Sequence, residues 1–157
     1  MNNNIKPQKK EGWCGPTSLQ YALKKQGVNT SQEYLVEMTG TTTKKGVDPG
    51  KLSEVARKYG MKVETVRNDN PLTTLVQINK FIDDGYSVIV DYLVGKDIKS
   101  DGHYAVVHKI EDGQIKLLDP QNAKITSFKL NRFVNKWKDT TIKGNQFNNW
   151  AMAIKKQ

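Results

Sequence analysis

The chain has 157 residues, a formal net charge of +9, and 36% hydrophobic and 26% charged residues. That length points to one domain, residues 1–157, and is enough to bury a core without metal or disulfide staples. The single cysteine, Cys14, excludes an internal disulfide, and with only His103 and His108 beside it no metal-ligand spacing exists, so no metal or organic cofactor is expected.

No stretch reaches the length of a transmembrane helix, and the first ten residues are polar and basic rather than a secretory signal. A cytoplasmic location follows as an expectation. The lysines are spread along the chain, and Arg57, Arg67 and Arg132 form no stripe interleaved with aromatics. The charge therefore reads as a solvated lysine-rich surface, and nucleic acid is not an expected partner.

In chain order, apolar Leu19, Ala22 and Leu23 recur at helical spacing over residues 16–26, and Gly27 is a suitable stop. A second helix is expected over 31–38, capped by Thr30 or Ser31 and ended by Gly40. Residues 41–50 read as a loop with Asp48-Pro49-Gly50 as its turn. Helices over 51–59 and 71–84 flank a short strand over 62–66, the latter helix burying Leu75, Ile78, Phe81 and Ile82. After Gly85 the pattern turns β-branched and apolar. Strands are expected over 86–93, 103–110, 114–118 and 124–128, with Asp112-Gly113 as a hairpin turn between the second and third. A short helix over 131–137 and a closing strand over 150–154 complete the chain. Helices first and an antiparallel sheet afterwards make an α+β domain, with the N-terminal helices packed on the C-terminal sheet.

Cys14 lies in Gly12-Trp13-Cys14-Gly15-Pro16, just ahead of the first helix. A thiol attacks only as thiolate, and a free cysteine has a pKa of about 8.5, so a nucleophilic cysteine needs a helix N-terminus, a histidine, or both. Gly15 is read as leaving room for a substrate backbone. His103 is the candidate base, forming an ion pair with the thiol and later protonating the leaving amine. Asp119 is the candidate orienter that fixes the imidazole tautomer, and it flanks the same hairpin as His103. Gln8, six residues before Cys14, is the candidate side-chain donor to an oxyanion, beside the Cys14 backbone N–H. His108 falls on the opposite face of a regular strand and reads as exposed or structural. Trp13 either lines a groove or packs, Asp48 and Asp101 read as turn residues, and residues 96–102 form a loop able to gate the site.

Taken together, Gln8-x5-Cys14-Gly15-Pro16-Thr17-Ser18-Leu19, Gly50-Lys51-Leu52, His103-Tyr104-Ala105-Val106-Val107 and Asp119-Pro120 resemble the bacteriocin-processing, double-glycine leader cysteine peptidases. These are papain-like domains. The resemblance runs over roughly residues 6–138, and the segment around Trp150 to Ile154 is similar to the closing strand of free-standing members. It implies a papain-like fold, with Cys14 as nucleophile, His103 as base, Asp119 as orienter and Gln8 as oxyanion donor. It also implies a peptide or protein substrate cut after a small-residue pair, often Gly-Gly. Trp13 stands where transporter-borne members usually carry an acidic residue. Three functions compete: a cysteine peptidase acting on a peptide or isopeptide bond through a thioester; an acyltransferase, deamidase or transglutaminase-like enzyme with the same triad; and a non-catalytic binding module on the same fold.

Overall fold

The computed structural model describes residues 5–157. Helix α1 spans Cys14–Lys25, two residues earlier than the apolar spacing indicates. Pro16 is the reason: the first turn of a helix needs no N–H from its third residue, so proline fits there without ending anything. The Thr17 N–H closes the first helical bond on the Trp13 carbonyl at 3.0 Å. Cys14 is thus the first residue of the helix rather than a residue ahead of it. Helix α2 (Gln32–Thr39) is capped by the Ser31 side chain, which accepts from the Tyr34 N–H, and it ends on Gly40 in the left-handed region.

Helix α3 spans Pro49–Lys58, so Pro49 and Gly50 open a helix instead of forming a turn. Pro49 takes the first helical position, where its fixed φ suits the helix. Strand β1 (Met61–Val66) leads to α4 (Pro71–Asp83), capped by Asn70, whose side chain accepts from the N–H groups of Leu72 and Thr73. On α4 the buried residues are Thr74, Leu75 and Ile78, whereas Phe81 and Ile82 are only partly covered.

Strands β2 (Ser87–Leu93), β3 (Gly102–Glu111), β4 (Gln114–Asp119) and β5 (Lys124–Lys129) form an antiparallel meander. Asp112 and Gly113 both have positive φ, as the tight hairpin turn requires. Helix α5 (Leu130–Lys136) follows. A two-stranded hairpin of β6 (Lys138–Thr140) and β7 (Gln146–Asn148) then precedes β8 (Ala151–Lys156). The sequence pattern gives no hint of β6 and β7, because three-residue strands are too short for a period to register.

The sheet order is β1-β8-β2-β3-β4-β5. The last strand is therefore internal, lying between β1 and β2, and Ala151 to Ile154 are buried consecutively rather than alternately. A strand covered on both faces reads as a continuous apolar run. Side chains from α1, α2 and α3 pack on one face with Ile89, Tyr104, Val106 and Met152. Residues of α4 and α5 pack on the other with Val88, Val90, Ala105 and Val107. The architecture is α+β with helices on both faces of a six-stranded antiparallel sheet.

Two glycines fix the approach to Cys14. Gly12 has φ +80°, and a Cβ there would lie 2.6 Å from the carbonyl oxygens of Thr42 and Thr43. These are backbone atoms of the 42–46 turn and cannot swing aside. Gly15 faces inward: its Cβ would lie 2.5 Å from Val47 Cγ1 and 3.2 Å from the Tyr104 ring. Gly15 thus serves close helix–sheet packing, not room for a substrate. We expect Gly12→Ala to lower stability by about 1–3 kcal/mol through left-handed strain and overpacking. Urea unfolding of the two proteins would measure it, and an unchanged midpoint would remove Gly12 as the reason for this chain path.

Candidate active site

Three segments converge on Cys14. The first is the start of α1. As the first helical residue, Cys14 carries a backbone N–H with no intrahelical acceptor, and the helix dipole places partial positive charge there. The thiol is neither fully buried nor freely exposed. Trp13, directly before it, is buried at 8% exposure, with the Lys10 ammonium 5.5 Å from its ring centroid. Its role is packing.

The second segment is the start of β3. His103 is buried at 7% exposure and lies edge-on to the Tyr92 ring, with centroids 5.8 Å apart. The third is the end of β4, where Asp119 Oδ1 lies 2.7 Å from His103 Nε2. The hairpin brings the two together across 16 residues of sequence. Asp119 Oδ1 also accepts from the Gln121 N–H at 2.9 Å, so the carboxylate is held from two sides. Nε2 therefore belongs to Asp119, and Nδ1 is the ring nitrogen available to the Cys14 thiol.

Burial alone would lower the His103 pKa. The hydrogen bonds to Asp119 and Cys14, and the charges of both, outweigh it and raise His103 to about 9. For Asp119, burial works upward, but the His103 hydrogen bond, the Gln121 N–H and the imidazolium charge hold the carboxyl below its usual range. The sign for stability follows from both partners. The raised His103 pKa stabilises the fold fully below the unfolded histidine value of about 6.5, and that part is lost as pH rises through about 9. The lowered Asp119 pKa stabilises above about 3.9 and is lost as pH falls through the folded value. Asp119→Asn is expected to flatten both flanks of a Tm-against-pH curve. Flanks that match the wild type would mean the pair carries no ionic stabilisation.

Gln8 is tied to the same corner. Its backbone N–H donates to the Pro120 carbonyl at 2.7 Å, next to Asp119. Its side-chain Nε2 donates to the Lys10 carbonyl at 3.0 Å, which leaves one of the two amide hydrogens free for a substrate oxygen. Its Oε1 is buried without a partner. His108 sits at a β-bulge between Val107 and Lys109, so β3 is not regular there. The side chain is exposed, away from the core that holds His103. Burial and then Lys25, Lys109 and Lys116 keep its pKa below the ordinary histidine value.

A profile described as the Peptidase_C39 like family matches residues 2–144. The chain belongs to that family. Among solved structures, this C39-like chain is similar to the peptidase domain of Streptococcus ComA, a bifunctional ABC transporter in a quorum-sensing pathway. The identity is 27%, the match covers 98% of this chain and 100% of that one, and the TM-score is 0.73. A C39-like chain from Bacillus anthracis shares the fold at a TM-score of 0.75 and 16% identity, over 98% of this chain and 96% of the other. The double-glycine-motif protease of an AMS/PCAT transporter, solved with its leader peptide, shares it at 0.67 and 16%, over 98% and 91%. A comparison with curated proteins finds no match. No helix among the described residues of this C39-like domain is long and apolar enough to cross a membrane.

The sequence reading missed a second pair of side chains beside Cys14. Asp91 is buried in β2 at 1% exposure, opposite Tyr104 of β3, and the Asp139 carboxyl of the adjoining β6 fills the side-chain space at Gly102 two residues away on β3. The signal was present: Asp91 is the single charged residue in Ser-Val-Ile-Val-Asp-Tyr-Leu, a strand buried along its whole length. A charge in such a run needs a partner or a proton. Residues 96–101 ahead of β3 are organised by Asp97 and Asp101. Asp101 Oδ2 accepts from the Asp97 N–H at 2.9 Å, and Asp97 Oδ1 accepts from the Lys99 N–H at 2.9 Å. Asp48 does more than turn the chain, since its Oδ1 accepts from the Ile142 N–H at 2.8 Å.

Proposed function

We propose that this protein is a cysteine peptidase that cuts a peptide after a small-residue pair, with Cys14 as nucleophile, His103 as acid and base, Asp119 as orienter and Gln8 as oxyanion donor. The observation that carries the reading is the 2.7 Å His103–Asp119 bond, which leaves the other imidazole nitrogen for a thiol at a helix start. Family membership and the likeness to the ComA peptidase domain support the peptide substrate.

In this mechanism the Cys14 thiolate attacks the carbonyl carbon of the scissile bond. The developing oxyanion is met by the Cys14 backbone N–H and the free Gln8 amide hydrogen. His103 Nδ1–H protonates the leaving amine, which departs and leaves a thioester on Cys14. Water then attacks the thioester, giving its proton to His103 Nδ1, and the carboxylic acid product leaves with Cys14 regenerated. Asp119 holds the ring through both half-reactions and stabilises the imidazolium.

The test is mass spectrometry of the protein incubated with peptides that carry an amphipathic leader, a Gly-Gly pair and a short C-terminal cargo. A single cut after the second glycine, absent in Cys14→Ala, is expected. Transfer of the acyl group to an added amine with no hydrolysis would replace the peptidase by an acyltransferase. No product from any peptide, with Cys14 unreactive toward iodoacetamide, would leave a binding module.

A further inference from the structure

We propose that Asp91 and Asp139 share one proton and act together as a positioning pair for His103, clamping the β6–β7 hairpin onto the start of β3 beside Cys14. This rests on the reading of Cys14 and His103 as nucleophile and base. The geometry comes first. Asp139 fills the space a side chain at Gly102 would take: a Cβ there would overlap the Asp139 carboxyl. Gly102 directly precedes His103. The residue before the base is thus pinned by a carboxyl from another element, and the Thr140 N–H holds that carboxyl at 2.7 Å.

Asp91 lies across the sheet from Tyr104, the residue after His103. Both of its oxygens are buried without a well-formed hydrogen bond from a donor among the described residues, although the His103 backbone N–H acts on the carboxyl. What faces it is Asp139, and neither carboxyl makes an ion pair with a lysine, arginine or histidine there. Two carboxyl groups in contact attract only if one supplies an O–H. The other titratable groups around them are Cys14 from α1, His103 and Tyr104 from β3, and Asp48 at the start of α3. None brings a fixed positive charge except protonated His103.

The directions of ionisation agree. Burial first, then the charge and hydrogen bond of Asp139 and the charge of Cys14, push Asp91 well above the usual carboxylate range, and the opposing His103 backbone N–H does not cancel them. Burial raises Asp139 too, while the hydrogen bond from Asp91 works downward on it. The proton therefore resides on Asp91, which donates to Asp139. Asparagine at position 91 reproduces that donor with no proton to lose, and alanine removes it.

The experiment has two arms. Thermal unfolding reads the shared proton without any substrate. An acid whose folded pKa is raised gives stability that is full below the unfolded value of about 3.9 and drains away as pH rises toward the folded value. Asp91→Asn is expected to gain in Tm over the wild type between about pH 5 and about pH 8, by a margin that grows with pH. A margin independent of pH, or one that shrinks, overturns the shared proton. Iodoacetamide labelling of Cys14 at pH 7 reads the positioning. Asp91→Ala and Asp139→Ala are expected to slow it about tenfold, and Asp91→Asn to restore what Asp91→Ala loses. Folded alanine variants that label at the wild-type rate overturn the positioning role. If the wild type itself labels no faster than a free thiol, the nucleophile assignment fails and the positioning role with it. The thermal arm still decides the proton, and it needs only the asparagine variant to fold.

Discussion

His103→Ala is expected to slow iodoacetamide labelling of Cys14 at pH 7 by about thirtyfold and to lower peptide turnover by about 10⁴ or more. The first figure follows from thiolate supply. A thiol without a base partner is in general only a few per cent ionised at neutral pH, and the figure is the cost of removing that partner. The second is larger because the proposed mechanism uses His103 twice, as acid toward the leaving amine and as base toward water. The geometry is compatible with both tasks: Nε2 is held by Asp119 at 2.7 Å, which fixes the direction of Nδ1. His108→Ala is the control. That side chain stands exposed at a bulge and is expected to leave both readouts near the wild type. Rapid labelling in His103→Ala, with slow labelling in His108→Ala, would exchange their roles and show that the strand carrying the base had been misassigned.

Gln8→Ala is expected to lower kcat by about 10²–10³ with little change in KM. This is the range for losing one donor to an oxyanion. The amide contributes chiefly once the carbonyl oxygen carries charge, so the loss appears in the transition state rather than in binding. Position supports the assignment. Gln8 is anchored through its backbone to Pro120, one residue past Asp119, so it belongs to the same corner as the His103–Asp119 pair. Its Nε2 already donates to Lys10, and only the second hydrogen remains for substrate. Gln8→Glu is expected to be at least as damaging, because a carboxylate there would repel the developing charge. Wild-type kcat in Gln8→Ala would remove Gln8 as oxyanion donor and leave the Cys14 N–H needing a different partner.

Much of the proposed site is legible in the sequence because its candidate groups are rare residues. One cysteine and two histidines leave few ways to assemble a thiol nucleophile and a base, and the Asp-Gly turn announced the hairpin that joins His103 to Asp119. The helices were legible from apolar spacing and from the cap Ser31 and the stop Gly40, since these are local signals. The errors are also local in origin. Pro16 and Pro49 sit inside first turns, where no N–H is missed, so a rule that puts proline at or before a boundary misplaces both helix starts.

What only the tertiary structure decided depends on contacts between distant segments. The sequence by itself determined most of the elements, their order, the α+β class and which residues are candidates for the reactive groups. It could not place β8 between β1 and β2, because a strand's neighbours are chosen by which faces remain to be covered. It could not separate a glycine that admits substrate from one that admits Val47 and Tyr104, because both are absences of a side chain. Nor could it pair Asp91 with Asp139, which lie 48 positions apart by numbering on β2 and on a three-residue strand with no sequence signal. A buried charge announces that it needs a partner; only the folded chain says which one.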